Sequence, residues 1–336
     1  MPKSPDVFIS LSPAKPTEVF DTYWRFAAER QAIFFRRIEG RPPDEWTQDE
    51  ILSRYKFTNA YRAADRVSQY LIRNVIYKGD QTPEEVFFRT ILFKIFNRIE
   101  TWELLEREMG VVSYADYSFK SYDRVLGRAR RRGSRIYSAA YIMPSGNKVF
   151  GYRQKHRNNL KMLERMMEDE LALRIKDARS MREAFELLRS YPLIGDFLAY
   201  QYVTDLNYSE LTNFSEMDFV IPGPGALNGV RKCFSSLGGL TEANIIDLVT
   251  ERQEEEFSKR GINFRTLWGR PLQLIDCQNL FCEVDKYARV AHPEFNGDGG
   301  RTRIKQVYRN NAEPIEYWFP PKWKLNTNLE KAKGAG

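Results

Sequence analysis

The chain has 336 residues, of which 42% are hydrophobic, 14% aromatic and 29% charged, a composition that excludes the disordered, collagen-like and disulfide-scaffold classes and suits about two domains. Lysine and arginine number 52 against 45 acidic residues, a net charge of +7, so the expected partner is polyanionic and nucleic acid comes first. Cys233, Cys277 and Cys282 lack CxxC spacing and only His156 and His292 are histidines, which excludes a disulfide framework and an ordinary zinc site and leaves carboxylate-bound magnesium or calcium open.

The first residues have no apolar core of signal-peptide length, and no segment reaches the roughly 18 apolar residues of a membrane span, so a cytoplasmic chain with no membrane partner is expected. Residues 1–16 carry four prolines and read as a flexible arm. Thr17 then caps a helix whose Phe20, Tyr23, Trp24, Ala27, Ala28, Ile33 and Phe34 recur largely at three- and four-residue intervals, ending at Gly40 and Pro42-Pro43. Two more core helices are predicted. YKFTNAYRAADRVSQYLIRNVIY aligns Tyr61, Ala64, Ser68, Leu71 and Val75, and PEEVFFRTILFKIFNRIETWELLERE follows Thr82-Pro83 with acids in its first turn.

From about 113 to 150 the helical period is lost around a basic run and the turn Pro144-Ser145-Gly146-Asn147. A long charged helix near 153–178 reads as an exposed scaffold. REAFELLRSYPLIGDFLAYQYVTDLNY is a helix pair broken from Tyr191-Pro192 through Gly195, and the Gly-Pro loop in IPGPGALNGVRK opens another helix. The last 35 or so residues are polar and proline-interrupted, with a short strand or docking segment expected around Ile315 to Phe319 and a disordered extreme tail.

Two features carry chemistry. A turn of the form x-P-x-[IV]-G between helices presents backbone N–H groups to a DNA phosphate, glycine permitting close approach; Ile194 and Gly195 are the contacts expected here, and Asp218 follows Tyr191 by 27 residues. The densest basic segment holds Arg124, Arg128, Arg130, Arg131, Arg132 and Arg135, then Lys148, Arg153, Lys155 and Arg157, interleaved with Tyr137, Tyr141 and Tyr152, a pattern suited to tracking phosphates. The Gly-Pro loop lacks the Lys-Ser/Thr of a P-loop and no strand pattern precedes it, which argues against a kinase or a dinucleotide enzyme. Cys282-Glu283-Val284-Asp285-Lys286-Tyr287 reads as helical ion pairing, and Gln69 with Arg62, Asp65 and Arg66 as an internal polar network.

Pro192, Ile194, Gly195 and Ala199, followed by Met217-Asp218-Phe219-Val220, resemble the helix-hairpin-helix DNA glycosylase superfamily, and TILFKIFNRIETW is similar to its early helix that pushes polar residues into the duplex, with Asn97 and Thr101 as candidates. FTNAYRAADRVSQYLIRNVIY, FKIFNRIETW, YPLIGDFLAYQYVTDLNY, IPGPGALNGVRK and CEVDKYAR together look like the alpha-glutamyl/putrescinyl-thymine pyrophosphorylases and the helical domains of hydroxymethyluracil DNA kinases. That group includes Brig-type antiphage glycosylases. The resemblance spans roughly residues 50–290 and implies a mostly α, two-lobed helix-hairpin-helix glycosylase-like fold with a central cleft. The expected organisation is an arm over 1–16, a helical domain over 17–298 with its hairpin near 183–208, and a docking segment and tail over 299–336. Leu193 replaces the first hairpin glycine, Asp196 adds a negative charge, and Phe197 stands where lyase-type members carry a lysine, which excludes a Schiff base from that position.

The activity so implied is monofunctional hydrolysis of a bulky modified pyrimidine from phage DNA, leaving an abasic site. Asp218 would activate water and stabilise the oxocarbenium-like state, while Gln69, Asn97, Tyr200 and Gln201 would hold the flipped base. The expected partner is double-stranded DNA with modified bases, bound by a monomer, and neither cofactor nor metal is required. The rival is a transferase that displaces pyrophosphate from activated hydroxymethyluracil and attaches an amino acid or polyamine, with Arg231 and Lys232 beside the Gly-Pro loop cradling the pyrophosphate.

Overall fold

The computed structural model describes residues 12–296, 302–310 and 314–334. The chain is mostly α-helical and forms two compact units: the described parts of Met1–Arg62, Pro222–Ala312 and Ala332–Gly336 make one, and Ala63–Ile221 with Glu313–Lys331 the other. Most of the expected arm lies outside the described residues. Its end forms strand β1 (Lys15–Pro16), antiparallel to β2 (Phe234–Ser236).

Helix α1 (Glu18–Ile38) starts where Thr17 Oγ1 accepts the Val19 N–H at 3.3 Å and ends before Gly40, at φ 72°, as its sequence pattern requires. Helix α2 (Glu50–Arg54) is capped by Asp49. The block from Tyr55 is helical only later than predicted, in α3 (Arg66–Tyr70), which widens into a π-type stretch, Leu71–Ile76. Buried Arg89 accounts for that opening: its guanidinium donates to the carbonyls of Val75, Ile76 and Asp80 at 3.0, 3.3 and 2.6 Å, satisfying groups that a regular helix end would leave bare.

The next predicted helix is two, α4 (Pro83–Phe96) and α5 (Ile99–Met109), because Asn97 turns left-handed at φ 47°. Asparagine tolerates this region better than most residues. Every residue of α4 from Glu85 to Phe96 is buried, so it is the central rod of its unit. The stretch expected to be irregular contains α6 (Phe119–Arg131) and the short α7 (Asn147–Phe150): the basic residues of α6 mask a regular stripe of Tyr122, Val125, Leu126 and Ala129. The charged scaffold helix is α8 (Lys155–Glu168) and α9 (Leu171–Lys176), broken at Glu170 (φ 52°). Its Leu160, Leu163, Met166, Met167 and Leu171 are core, not exposed; α4 packs against both helices.

The hairpin is α10 (Met181–Arg189) and α11 (Asp196–Leu206). In the other unit, α12 (Pro224–Cys233), α13 (Glu242–Glu251) and α14 (Gln253–Lys259) lead to α15 (Leu274–Ala291), against which α1, α12 and α13 pack. No strand forms around Ile315 to Phe319; the segment lies extended, its Tyr317 and Phe319 buried. The tail is helical in α16 (Asn326–Gly334), where a disordered end was expected; residues 335–336 lie outside the described residues.

Candidate nucleic-acid interface

The hairpin turn keeps the backbone of a glycine-bearing motif without its first glycine. Leu193 takes φ 73°, a left-handed conformation that costs a leucine about 1–2 kcal/mol. Gly195 is exposed and begins α11 with open space around its α-carbon, so a phosphate can approach its backbone. Ile194 is buried beneath the turn and serves as its anchor. The charge of Asp196 is answered by an ion pair with Arg189 of α10, which mutes the repulsion a lone carboxylate would exert on phosphate.

Asp218 is exposed, and its Oδ2 accepts the Arg182 N–H at 3.1 Å in the first turn of α10. Ser180 caps the same helix end through the Glu183 N–H, so the carboxylate also serves as a cap. Next to it, Phe219 lies 5.4 Å from the Tyr200 ring, and the Arg182 guanidinium sits 4.2 Å over Phe219. Tyr200 and the Asp218 segment are thus brought together.

The four residues expected to hold a base are packed as core: Gln69 is 2%, Asn97 5%, Tyr200 1% and Gln201 0% exposed. Gln69 donates to the Ala63 carbonyl at 2.7 Å and accepts the Trp318 N–H at 2.6 Å, which ties the C-terminal segment to its unit. Asn97 Oδ1 accepts from Lys94 Nζ at 2.8 Å.

Lys94 belongs to a cluster that the sequence reading missed. Its Nζ lies 3.1 Å from Asp205 Oδ2, with both side chains nearly closed to solvent, and 4.4 Å from the Tyr141 ring. Tyr141, left-handed at φ 54°, stacks on Phe197 of the hairpin at 5.9 Å and 7°. The available signal was a lysine inside the apolar run ILFKIF, since a buried charge demands a partner.

One loop joins these parts. Thr101 donates to the Ile136 carbonyl at 2.9 Å and the Ser138 N–H to Phe96 O at 2.9 Å; Met143 then meets the Tyr202 hydroxyl, and Gly146 meets Leu193. Along the basic segment, Arg128 pairs with Glu108 at 2.8 Å. Arg157 grips Asp123 through two bonds of 2.7 Å, and His156 Nε2 bonds the same carboxylate at 2.8 Å. Burial pushes Asp123 up, yet these hydrogen bonds hold it below its ordinary range. Arg130 reaches His156 Nδ1 at 3.5 Å, and Lys155 lies 4.1 Å over the Tyr137 ring, its pKa lowered by burial. Arg131 and Arg132 are exposed at the end of α6 and, with Lys148 and Arg153, form the outward charge.

The other unit disposes of the remaining candidates. A β-carbon at Gly225 would lie 2.3 Å from Cys282 Sγ, and one at Gly229 1.9 Å from the Phe281 carbonyl oxygen. These two glycines of α12 therefore serve its close packing on α15. Arg231 pairs with Glu242 and Lys232 with Asp285, so the expected pyrophosphate cradle is occupied by acids. Lys286 pairs with Glu283 at 2.6 Å, as helical ion pairing anticipates. Cys277 and Cys282 are pushed up to about 12 by burial, which leaves them unreactive thiols. A concavity of about 850 Å³ in this unit lies among Arg25, Glu29, Arg36, Asp49, Tyr287 and His292. There Arg36 is tied to Glu29 and Tyr287 to Asp49. Among the described residues, no helix is long and apolar enough to cross a membrane.

The helical domain of 5-hmdU DNA kinase, as a family model, matches residues 17–297. The 5-hmdU DNA kinase of Bacillus phage SP10 is 27% identical over 336 residues, covering 94% of this chain and 52% of the relative. The chain spans about half the length of the curated relative it matches. No solved structure matches the chain. These similarities overturn the expected excision of a base to an abasic site: family and relative are named for a kinase, a phosphotransferase and not a hydrolase of N-glycosidic bonds. They also correct the argument against kinases, which holds for the Gly-Pro loop alone. The chain belongs to the family of the 5-hmdU DNA kinase helical domain.

Proposed function

We propose that this chain engages double-stranded DNA and works on 5-hydroxymethyluracil within it, by group transfer at the exocyclic hydroxymethyl group with the N-glycosidic bond left intact. The family match along 17–297 carries this reading. It is supported by the hairpin turn with its exposed Gly195 and by the outward charge of Arg131, Lys148 and Arg153, a set suited to a phosphate backbone. Asp218, an exposed carboxylate beside the hairpin, can accept a proton from a reacting hydroxyl or amine.

Phosphoryl transfer to the base hydroxyl is the reaction the relative's name describes. A second reading keeps the same base and leaves the same bond intact: an amine attacks the methylene carbon of a pyrophosphorylated hydroxymethyluracil. The C–N bond forms as the C–O bond breaks, pyrophosphate leaves with the electron pair, and the amine proton passes to a base. Neither reaction releases the pyrimidine. Binding tests the reading: matched duplexes bearing thymine or hydroxymethyluracil are titrated at one salt concentration, and tighter binding of the modified duplex is expected. Equal affinities would remove it.

A further inference from the structure

A groove of about 350 Å³ runs between α5 and α6, at the small end of the range of ligand pockets. Helical spacing builds it: Thr101, Leu104 and Glu108 line it from α5, and Val125 and Ala129 from α6 with Arg132 just past its end, each set at three- and four-residue intervals. Leu104, Val125, Ala129 and Ile136 are its apolar lining. Its lining includes the guanidinium-bearing residues Arg98, Arg107, Arg128, Arg132 and Arg135 against Glu100 and Glu108; five arginines against two glutamates leave three positive charges uncompensated.

This excess is concentrated in one small concave volume. A duplex backbone presents phosphodiesters one charge at a time along a ridge, which suits arginines spread over a face, as Arg131 and Arg153 are. Several arginines lining one small groove suit a compact anion that carries more than one charge. The glutamates do not complete the neutralisation: Glu108 holds Arg128 at 2.8 Å, and Glu100 lies 3.2 Å from Arg98 Nε.

We propose that the α5–α6 groove is a binding site for a multiply charged phosphate group, a phosphomonoester or pyrophosphate. A phosphomonoester carries about −1.5 to −2 at neutral pH, and pyrophosphate more, so either offsets most of the excess. The inference goes beyond the DNA-engaging reading and is tested apart from it.

Inorganic pyrophosphate is the probe. Titrated calorimetrically into the full chain at low salt, it is expected to bind saturably. The double variant Arg107→Gln/Arg135→Gln, two exposed arginines of the groove, is expected to bind it about tenfold more weakly or worse. Arg131→Gln/Arg153→Gln, outside the groove, is expected to keep pyrophosphate binding and weaken unmodified duplex binding. Circular dichroism checks that both variants fold. Absence of pyrophosphate binding to the parent protein, or equal loss in both variants, overturns the proposal. So does a groove variant that weakens duplex binding as much as Arg131→Gln/Arg153→Gln does while pyrophosphate binding persists, because the groove would then be a backbone contact.

Discussion

Leu193 seats its side chain over Gly146 so closely that a β-carbon on the glycine would lie 2.7 Å from the leucine Cδ1 and 3.0 Å from Asn158 Cβ. Both residues are left-handed, at φ 73° and 70°. A hairpin turn that lacks its first glycine is thereby held by a glycine from another loop. Gly146→Ala meets a strained φ and a clash together, and we expect a loss of about 1–3 kcal/mol in stability, read from the urea midpoint, with weaker duplex binding as the turn shifts.

The Lys94–Asp205 pair stands between α4 and α11, 3.1 Å apart and buried. Removing one partner leaves a charge stranded in the core. Lys94→Met and Asp205→Leu are each expected to cost about 3–5 kcal/mol, and the double variant less than the sum. Chemical denaturation of the three variants measures the coupling; strict additivity would show that the pair does not act as one unit.

The outward charge of α6 gives a salt signature. Arg131→Gln is expected to weaken duplex binding at low salt and to flatten the dependence of log affinity on log salt by about 0.9 for each phosphate no longer neutralised. Anisotropy titrations at several salt concentrations read both effects.

Acid should loosen the contact of α6 with α8. Burial lowers the pKa of His156 in spite of the opposing Asp123 hydrogen bond, so the unfolded chain takes up its proton first, near the ordinary value of about 6.5. The His156 contribution is complete above that pH and is lost as pH falls below it toward the folded value. Asp123, also lowered, keeps its contribution down to the ordinary carboxylate range and loses it only below. Stability is therefore expected to fall between pH 7 and 5, and His156→Gln to remove that part of the slope in urea titrations.

Helices with a clean apolar stripe were legible in the sequence. Thr17 and Gly40 bound α1 where composition places its ends, and the hairpin is broken where Pro192 and Gly195 stand. What escaped notice depends on contacts distant in sequence. The break at Asn97 lies inside an unbroken apolar pattern, and six arginines over 124–135 hide the regular stripe of α6. At the candidate site, the turn and the basic segment were readable, since local spacing sets them. The cluster of Lys94, Asp205 and Tyr141 was not, because α4, α11 and the 137–147 loop meet only in the folded unit. Gln69 shows the converse: an amide suited in type to a base edge is consumed by Ala63 and Trp318.

Nucleoside mass analysis tests the central claim most directly. Duplexes containing hydroxymethyluracil would be incubated with the chain and a nucleoside triphosphate, and pyrophosphorylated duplexes with the chain and amines, beside Asp218→Asn. Each product would then be digested to nucleosides. We predict a modified nucleoside with its sugar attached, heavier by a phosphoryl group or carrying the amine in place of pyrophosphate. Free pyrimidine base and abasic sites, with no nucleoside of altered mass, would contradict the account.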